Sequence, residues 1–388
     1  MRSVKFTANN RITLLHCGAE YFPALIQAID AAVFAVYLET YIFAADDTGR
    51  QVGQALKRAA ARGVRVYVLT DWIGTGRHQC TQWHKELSAA GVYHRTFNPW
   101  FKRGLSRTHR KMCVVDQRVA FLGGLNINDD MLDDNDPSVR LPAPRWDFAV
   151  RIEGPLVATI YQEISLQWDR VDGVDFRTRW ERFRETLSGP MSPLNKPAAA
   201  ALVVRDNLRN RRTIQRAYLQ ALGNARQSAW LANPYFAPNR KMRDALSAAS
   251  RRGVKVTLLL GVGQFTLQDA VAQSYYPKLL NSGVHIVEFR KTQLHGKVAV
   301  VDDQWATVGS SNYDGLSLFV NQEANIVVND AAFARALRDH IEHGIAEGVP
   351  IKPEEFIKIP WYRRIWYRSA YLLYKNVLRL ITQGKYTE

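Results

Sequence analysis

The chain has 388 residues, 47% of them hydrophobic, which is enough for two domains that each bury a core. Its 52 lysines and arginines outnumber 36 acidic residues, and the formal net charge of +16 predicts an anionic partner, either nucleic acid or an anionic membrane surface. Three widely separated cysteines argue against a disulfide framework or a zinc site, and no apolar run is long enough for a transmembrane helix or a signal-peptide core.

The first half of the chain alternates between extended and helical patterns, which predicts an α/β lobe with a mostly covered sheet. The predicted strands lie at 12–15, 33–43, 64–69, 92–97 and 145–152, and the predicted helices lie at 22–29, 49–62, 82–90 and 156–187. One segment departs from the pattern, because Glu39-Thr40-Tyr41 is polar inside the otherwise apolar strand 33–43. A polar residue at such a position usually marks the end of a sheet.

Two polar segments interrupt this lobe. The loop 98–104 mixes aromatic and basic residues and is either a solvated turn or a loop that contacts an interface or a headgroup. The segment 129–136 has five aspartates, Asp129, Asp130, Asp133, Asp134 and Asp136. It lacks the glycine and the terminal glutamate of a calcium loop, so we do not predict a metal site there.

The second half of the chain repeats the first. Residues 245–256 resemble 55–66 at an offset of 190, and a Pro- and Ser-rich stretch at 188–200 precedes the repeat. We therefore predict an N-terminal lobe (1–187), a linker (188–200), a C-terminal lobe (201–350) and a C-terminal segment (351–388).

One pattern of polar residues occurs in both halves with the same internal spacing. It consists of His, one residue, Lys, four residues and Asp, followed after six more residues by Gly, Gly or Ser, one residue and Asn. The copies start 186 residues apart, and each surrounds an apolar run, so a chance origin is untenable. The members are His109, Lys111, Asp116 and Asn126 in the first copy and His295, Lys297, Asp302 and Asn312 in the second.

The chemistry of these residue types indicates a site for a phosphate. His and Lys two positions apart on a strand project from the same face, and the glycine turn lets a ligand approach the backbone closely. Lys111 and Lys297 are predicted to hold phosphoryl oxygens, and Asn126 and Asn312 are predicted to add neutral donors.

The duplicated motif resembles the signature of the phospholipase D superfamily. The resemblance implies an α/β fold of two duplicated lobes, each a mixed β-sheet flanked by helices, with one shared active-site cleft. It also implies phosphodiester chemistry through a phosphohistidine, with no metal and no cofactor. In that family the first-motif histidine usually attacks, which makes His109 the predicted nucleophile and His295 the predicted acid and base. A Glu-containing segment lies beside the active site in that family, so Glu39 is also a candidate site residue.

Carboxylates are needed to orient the two histidines, because one ring nitrogen must be held while the other reacts. Asp116 and Asp302 belong to the catalytic motif, but they stand at the far end of the strand from the histidines, and we expect them to contact backbone or arginine. Glu323 is predicted to orient the second-motif histidine, with Asp147 as its counterpart in the first lobe. The alternative is that both are ordinary surface carboxylates.

The C-terminal segment has the pattern of an in-plane membrane helix. Apolar and aromatic residues between Tyr362 and Leu380 share one broad face, and the cations Arg364, Arg368, Lys375 and Arg379 lie on the other. The alternative is a helix that packs on the core of the protein.

A narrower resemblance, through residues 10–345, is to bacterial cardiolipin synthases of the phospholipase D type. It is carried by Gly123-Gly-Leu-Asn126, by 147–155 and by 309–325. It implies a peripheral enzyme on the cytoplasmic side of the inner membrane. Such an enzyme transfers a phosphatidyl group from phosphatidylglycerol, or from phosphatidylethanolamine, to phosphatidylglycerol. The alternatives are a phospholipase D hydrolase, a nuclease, for which no separate nucleic-acid-binding module is evident, and a non-enzymatic membrane-binding protein.

Overall fold

The computed structural model describes residues 4–134, 136–172, 198–206, 210–315, 317, 320–354 and 359–381. The chain forms two compact units, one of residues 1–129 and 149–202 and the other of residues 130–148 and 203–388. The segment 130–148 therefore belongs to the second unit and not to the predicted N-terminal lobe. The physical reason is a set of backbone hydrogen bonds, in which Trp146 donates to the Gln293 carbonyl at 2.9 Å and accepts from His295 and Gly296 at 2.9 and 2.8 Å.

The first unit is a mixed sheet with helices packed against it. Its elements are β1 (Thr7–His16), α1 (Cys17–Asp30), β2 (Ala35–Thr40), α2 (Asp47–Ala61), β3 (Arg65–Asp71), α3 (Arg77–Ala89), β4 (Tyr93–Phe97), β5 (Met112–Val115), β6 (Val119–Gly123), β7 (Phe148–Glu153), α4 (Leu156–Asp172) and β8 (Ala198–Arg205). The strand order is β8-β1-β7-β6-β5-β2-β3-β4. The strands β2, β3 and β4 are parallel, and β5, β6 and β7 add as antiparallel neighbours.

Local sequence explains how these elements begin and end. The helix α2 starts where the Asp46 side chain accepts the Gly49 N–H at 2.8 Å, and it ends before Gly63, which takes a φ of +87°. Its apolar face buries Val52 and Leu56 in the core. The strand predicted at 33–43 is shorter in the structure, since Val33 and Phe34 are exposed and precede β2.

The second unit repeats this plan. Its elements are α5 (Thr213–Asn224), β9 (Ser228–Asn233), α6 (Arg240–Arg251), β10 (Lys255–Gly261), α7 (Thr266–Leu280), β11 (His285–Phe289), β12 (Val298–Val301), β13 (Trp305–Gly309), β14 (Glu323–Asn329), α8 (Ala331–Ala346), β15 (Val349–Pro350) and α9 (Trp361–Ile381). The strands β9, β10 and β11 are parallel, and β12, β13 and β14 are antiparallel neighbours in the same arrangement as in the first unit. The predicted fold class, a duplicated α/β lobe with a mixed sheet, is confirmed.

Other predicted segments differ in their bounds. Of the predicted linker 188–200, residues 188–197 lie outside the described residues, and residues 198–200 form the start of β8, paired with β1. The predicted helix 156–187 is described only as far as Asp172. Among the described helices, none combines the length and the apolar character that a membrane crossing requires.

Candidate active site

The histidine and lysine of the first motif directly precede β5, an interior strand of the first unit. His109, Arg110 and Lys111 are all buried, and the Lys111 ammonium donates to the His109 carbonyl at 2.8 Å. This bond bends the lysine side chain back along its own strand and fixes its charge beside the histidine. Tyr41 completes the group, because its ring lies edge-on to the His109 imidazole at 4.8 Å and its centroid lies 5.2 Å from the Lys111 nitrogen.

Two buried carboxylates hold the residue before the histidine. The Thr108 hydroxyl donates to Glu39, and the Thr108 N–H donates to Asp71 at 2.8 Å. Burial raises the pKa of Glu39, against the opposing effects of Arg110 and of the bond from Thr108. Burial likewise raises the pKa of Asp71 to about 6, although backbone N–H groups oppose the shift. The structure thus joins Glu39 to the histidine strand through Thr108.

The residue between His109 and Lys111 points to the opposite side of the strand. Arg110 is fully buried, and its guanidinium pairs with Glu163 of α4 at 2.9 Å. A buried ion pair of this kind costs desolvation energy but fixes one geometry, so it anchors the motif strand to the helix. On the turn after β6, the side-chain oxygen Oδ1 of Asn126 accepts the Ile42 N–H at 3.3 Å. The side-chain NH2 group of Asn126 is therefore the part that can donate to a ligand.

The second motif has the same local geometry. Lys297 is fully buried, and its ammonium donates to the His295 carbonyl, as Lys111 does in the first unit. The residue between them is Gly296, where an added Cβ would lie 2.8 Å from the Trp146 ring. A glycine is required there because the indole ring of Trp146 occupies the space of a side chain.

Asp147 binds the second-motif histidine. Its Oδ2 lies 2.6 Å from His295 Nδ1, and its Oδ1 accepts the Phe148 N–H at 2.8 Å. Asp147 was predicted to orient the histidine of the first lobe, and that pairing is wrong. The reason is that residues 130–148 belong to the second unit, which brings this carboxylate to His295.

The charges around His295 define its protonation. Burial, and then the Lys297 ammonium, lower the pKa of His295 to about 4, against the opposing pull of Asp147. Burial works to raise the pKa of Asp147, but the positive charges of His295 and Lys297 and the bond from His295 bring it below its ordinary value. Near neutral pH the pair is therefore a carboxylate and a neutral imidazole, whose Nδ1–H donates to Asp147 and leaves Nε2 with a free lone pair.

The lysine remains a cation over most of the physiological range. Burial lowers the pKa of Lys297 to about 8, while Asp147, Asp134 and Glu323 oppose the shift. The ammonium is therefore mostly protonated at neutral pH, where it can neutralise phosphoryl oxygens, and it is half deprotonated near pH 8.

The aspartate-rich segment holds the second motif in place. Asp134 pairs with Arg145 at 3.2 Å, and Asp133 accepts from the Gln293 amide. The Arg145 guanidinium in turn donates to Gln293 at 3.3 Å, two residues before His295. These contacts give the aspartates a positioning role beside the motif.

Glu323 lies on β14, where it contacts the turn of the second motif. Its Oε2 accepts from the Ser310 hydroxyl, and it is fully buried. Within the second unit the orienting position at His295 Nδ1 is taken by Asp147, whereas the sequence analysis expected Glu323 there. Asn312 is buried on the same turn, two residues after Ser310.

Asp116 and Asp302 cap the strands that neighbour the motif strands. Asp116 accepts the N–H groups of Val33, Phe34 and Ala35 at 2.7 to 2.8 Å. Asp302 accepts the equivalent three N–H groups, from residues 226–228, at 2.8 to 2.9 Å. At about 3.3 Å per strand residue, each aspartate stands roughly 20 Å from its histidine along the chain. Neither carboxylate touches the imidazole of its own motif, and the backbone contacts agree with the structural role that the sequence analysis also considered.

Tyr41, Asp71 and Arg145 are residues of the site that were not predicted from the sequence. Tyr41 directly follows β2 and Asp71 ends β3, and the carboxyl ends of such parallel strands collect functional side chains. That signal could have identified them. Arg145 had no comparable signal, because its place depends on contacts with a distant part of the chain.

A comparison with protein families matches the two halves of the chain. The family described as "Cardiolipin synthase, PLD-like domain" matches residues 25–141 and 218–345, which include the histidine and lysine of each motif.

Similar proteins and structures agree with this match. Cardiolipin synthase B of Escherichia coli (strain K12) is 39% identical over 344 residues, 87% of this chain and 81% of the relative. The probable cardiolipin synthase YwiE of Bacillus subtilis (strain 168) is 28% identical over 362 residues, 92% of this chain and 70% of the relative. A crystal structure of phosphatidylserine synthase from Haemophilus influenzae Rd KW20 superimposes with a TM-score of 0.71 and 15% identity, over 98% of this chain and 97% of that one, and supports the fold.

Proposed function

This chain belongs to the cardiolipin synthase family of phospholipase D-like proteins, and we propose that it makes cardiolipin by phosphatidyl transfer through a phosphohistidine. It is a phospholipid phosphatidyltransferase, as its relatives indicate. The observation that carries the mechanism is the buried His295–Asp147 pair beside a buried lysine cation. A neutral imidazole held by a carboxylate next to a fixed positive charge suits proton transfer at an anionic phosphodiester.

In the first step, a ring nitrogen of His109 attacks the phosphorus of the donor lipid. A P–N bond forms, the P–O bond to the headgroup breaks, and His295 gives its proton to the departing alkoxide. His295 must be protonated to act as the acid, although its pKa in the ligand-free site is about 4. Burial and, after it, the Lys297 ammonium lower that pKa, and the negative charge of a bound phosphate diester beside the imidazole acts in the opposite direction and favours the protonated form.

In the second step, a hydroxyl of phosphatidylglycerol is the acceptor. The now neutral His295 takes its proton, the alcohol oxygen attacks phosphorus, the P–N bond breaks and His109 is regenerated. Cardiolipin and the free headgroup alcohol are the products. Lys111 and Lys297 hold the phosphoryl oxygens in both steps, with Asn126 and Asn312 as neutral donors.

Residues that do not touch the reacting atoms are assigned positioning roles. Glu39 and Asp71 hold Thr108, and therefore the start of the first motif, while Asp147 holds the His295 ring. Glu323 supports the turn that carries Asn312 through its contact with Ser310.

Phosphatidylglycerol is the proposed acceptor, and the donor is phosphatidylglycerol or phosphatidylethanolamine. We propose that the enzyme acts at the cytoplasmic surface of the inner membrane. The net charge of +16 supports an anionic lipid surface over a neutral one.

Lipid product analysis tests this function. Purified protein is incubated with vesicles of phosphatidylglycerol, with and without phosphatidylethanolamine, and lipids are identified by mass spectrometry beside a His109→Ala variant. We expect cardiolipin from the wild type and none from the variant, and the released alcohol identifies the donor. Phosphatidic acid as the sole product would make the protein a hydrolase. Absence of lipid turnover, together with cleavage of single- or double-stranded DNA, would make it a nuclease.

A further inference from the structure

The C-terminal helix α9 has three differently composed stripes. The inner stripe packs on the second unit, with Ala370 and Leu378 almost fully buried and the Tyr371 ring 5.7 Å from the Tyr275 ring of α7. Residues on the remaining surface of the helix are mostly exposed. The packing alternative considered from the sequence therefore holds for one stripe only.

The outer stripe is apolar and lies in solvent. Its members are 43% to 80% exposed, which is unusual for large apolar side chains grouped on one helix face. They are Tyr362, Ile365, Trp366, Leu373, Val377 and Leu380. At about 1.5 Å per residue, this stripe runs for roughly 30 Å along the helix.

A basic row borders the outer stripe. It consists of Arg364, Arg368, Lys375 and Arg379, and the sequence from 361 to 381 has no acidic residue. Cations beside an apolar stripe with Trp and Tyr match the headgroup and acyl regions of an anionic bilayer. A second copy of the chain fits less well, because two such helices would bring like charges together.

The inner stripe also reaches the loop after the second motif. The Tyr374 hydroxyl accepts the Gly315 N–H at 2.7 Å, and a Cβ at Gly315 would lie 2.2 Å from Leu378. Gly315 follows Asn312 by three residues. One helix therefore contacts the second-motif loop on its inner side and exposes an apolar surface on its outer side.

We propose that α9 docks flat on an anionic phospholipid bilayer through its outer stripe and basic row, and that its inner stripe holds the second-motif loop at that interface. The role in turnover rests on the proposed function, whereas bilayer docking does not. Docking on this face brings the loop that carries Asn312 to the depth of the lipid phosphates. The bond from Gly315 to Tyr374 keeps that loop in position.

Vesicle co-sedimentation of the full chain tests docking. The vesicles contain phosphatidylcholine alone or phosphatidylcholine with phosphatidylglycerol. The double variant Trp366→Ser/Leu373→Ser removes two outer-stripe side chains, and Val33→Ser/Phe34→Ser is the control at two apolar residues elsewhere that are at least as exposed. We expect the first variant to lose at least about tenfold in affinity for the anionic vesicles and the control to bind like the wild type.

Three outcomes of this experiment would overturn docking. One is wild-type affinity of the outer-stripe variant for anionic vesicles. Another is equal binding of the wild type to neutral and anionic vesicles, since the basic row would then contribute nothing. The third is a wild-type dimer in analytical ultracentrifugation that the outer-stripe variant abolishes, which would assign the stripe to self-association.

Activity measurements separate docking from catalysis. In detergent micelles of phosphatidylglycerol, the outer-stripe variant should turn over like the wild type, while on vesicles it should be slower in proportion to its lost binding.

Tyr374→Phe should bind vesicles normally and turn over about five- to tenfold more slowly, because the Gly315 N–H loses its acceptor. Wild-type turnover by Tyr374→Phe would refute the role of the loop contact. Normal docking without cardiolipin in either medium would leave docking intact and refute the proposed function.

Discussion

Replacing Asp147 with asparagine should disable the proposed acid and base. In the structure, Oδ1 of Asp147 accepts the Phe148 N–H, and Oδ2 faces His295 Nδ1. The amide oxygen of an asparagine would keep the bond from Phe148, since an amide NH2 cannot accept it. The NH2 group would then face Nδ1 and force the imidazole into the tautomer with the proton on Nε2. Nε2 could no longer accept a proton from the incoming alcohol.

The expected loss follows from this wrong tautomer. Tautomer reversal in comparable carboxylate–histidine pairs costs about 10³- to 10⁴-fold in turnover, and we expect Asp147→Asn to lose a similar factor in kcat for cardiolipin formation. The assay is initial-rate lipid product analysis on phosphatidylglycerol, with thermal unfolding to show that the variant is folded. Asp136→Asn is the matched control, because Asp136 is an exposed aspartate of the same segment whose side chain accepts from the nearby Ser138.

A folded Asp147→Asn variant with turnover within about threefold of the wild type would refute the role of Asp147 in fixing the tautomer of His295. The control should stay within about twofold of the wild type. A loss in Asp136→Asn as large as in Asp147→Asn would show that the segment as a whole, and not the contact with His295, is responsible.

The same geometry predicts effects of pH and of two further kinds of substitution. Because burial lowers the pKa of Lys297 to about 8, kcat/KM should fall as the pH rises through that value and the ammonium loses its proton. Arginine keeps its charge, so any kcat/KM that Lys297→Arg retains should stay constant to higher pH. If kcat/KM of this variant fell at the same alkaline pH as in the wild type, the fall would not be due to Lys297. Gly296→Ala should lower the free energy of unfolding by about 1–3 kcal/mol in urea denaturation, since its Cβ would meet the Trp146 ring, and an unchanged midpoint would refute that contact. Asp116→Ala and Asp302→Ala should each cost about 2 kcal/mol of stability while the folded fraction remains active. Loss of turnover without loss of stability would show a catalytic role instead.

The repeated motif and the periodic patterns around it predicted the duplicated lobes and the strands that carry the motifs. Each copy marks a short strand that follows His-x-Lys, and the structure has β5 and β12 there, each between an antiparallel neighbour and the first parallel strand of its unit. Hydrophobic period and glycine positions placed α2 and β3 within a few residues, because local propensity and burial agree there. The same agreement holds for α6 and β10 in the second unit.

The partner of Asp147 could not be predicted from periodicity. Its position depends on backbone hydrogen bonds between Trp146 and residues 293–296, which are about 150 positions later in the chain. The predicted pairing rested on matched positions in the repeat, with one orienting carboxylate in each half of the chain. A local sequence pattern carries no information on hydrogen bonds between segments so far apart in the chain. The matched position of Asp147 in the repeat therefore predicted the wrong histidine as its partner.

The network around Thr108 was missed for a related reason. Glu39 stood out as a polar residue in an apolar strand, but its partner depends on how β2 aligns with β5, where Glu39 is opposite Met112. Asp71 ends β3 and accepts the N–H of Thr108, which lies in the segment between β4 and β5, 37 positions later in the chain. Side chains that meet through loops require the tertiary structure.

The most direct test of phosphatidyl transfer is to run the reaction on phosphatidylglycerol vesicles in water enriched in ¹⁸O and to measure the masses of the lipid products by mass spectrometry. Transfer to a lipid hydroxyl predicts cardiolipin as the main product, without ¹⁸O, and none from His109→Ala. Water as the acceptor would instead place ¹⁸O in phosphatidic acid. Labelled phosphatidic acid as the main product of the wild type would contradict the account.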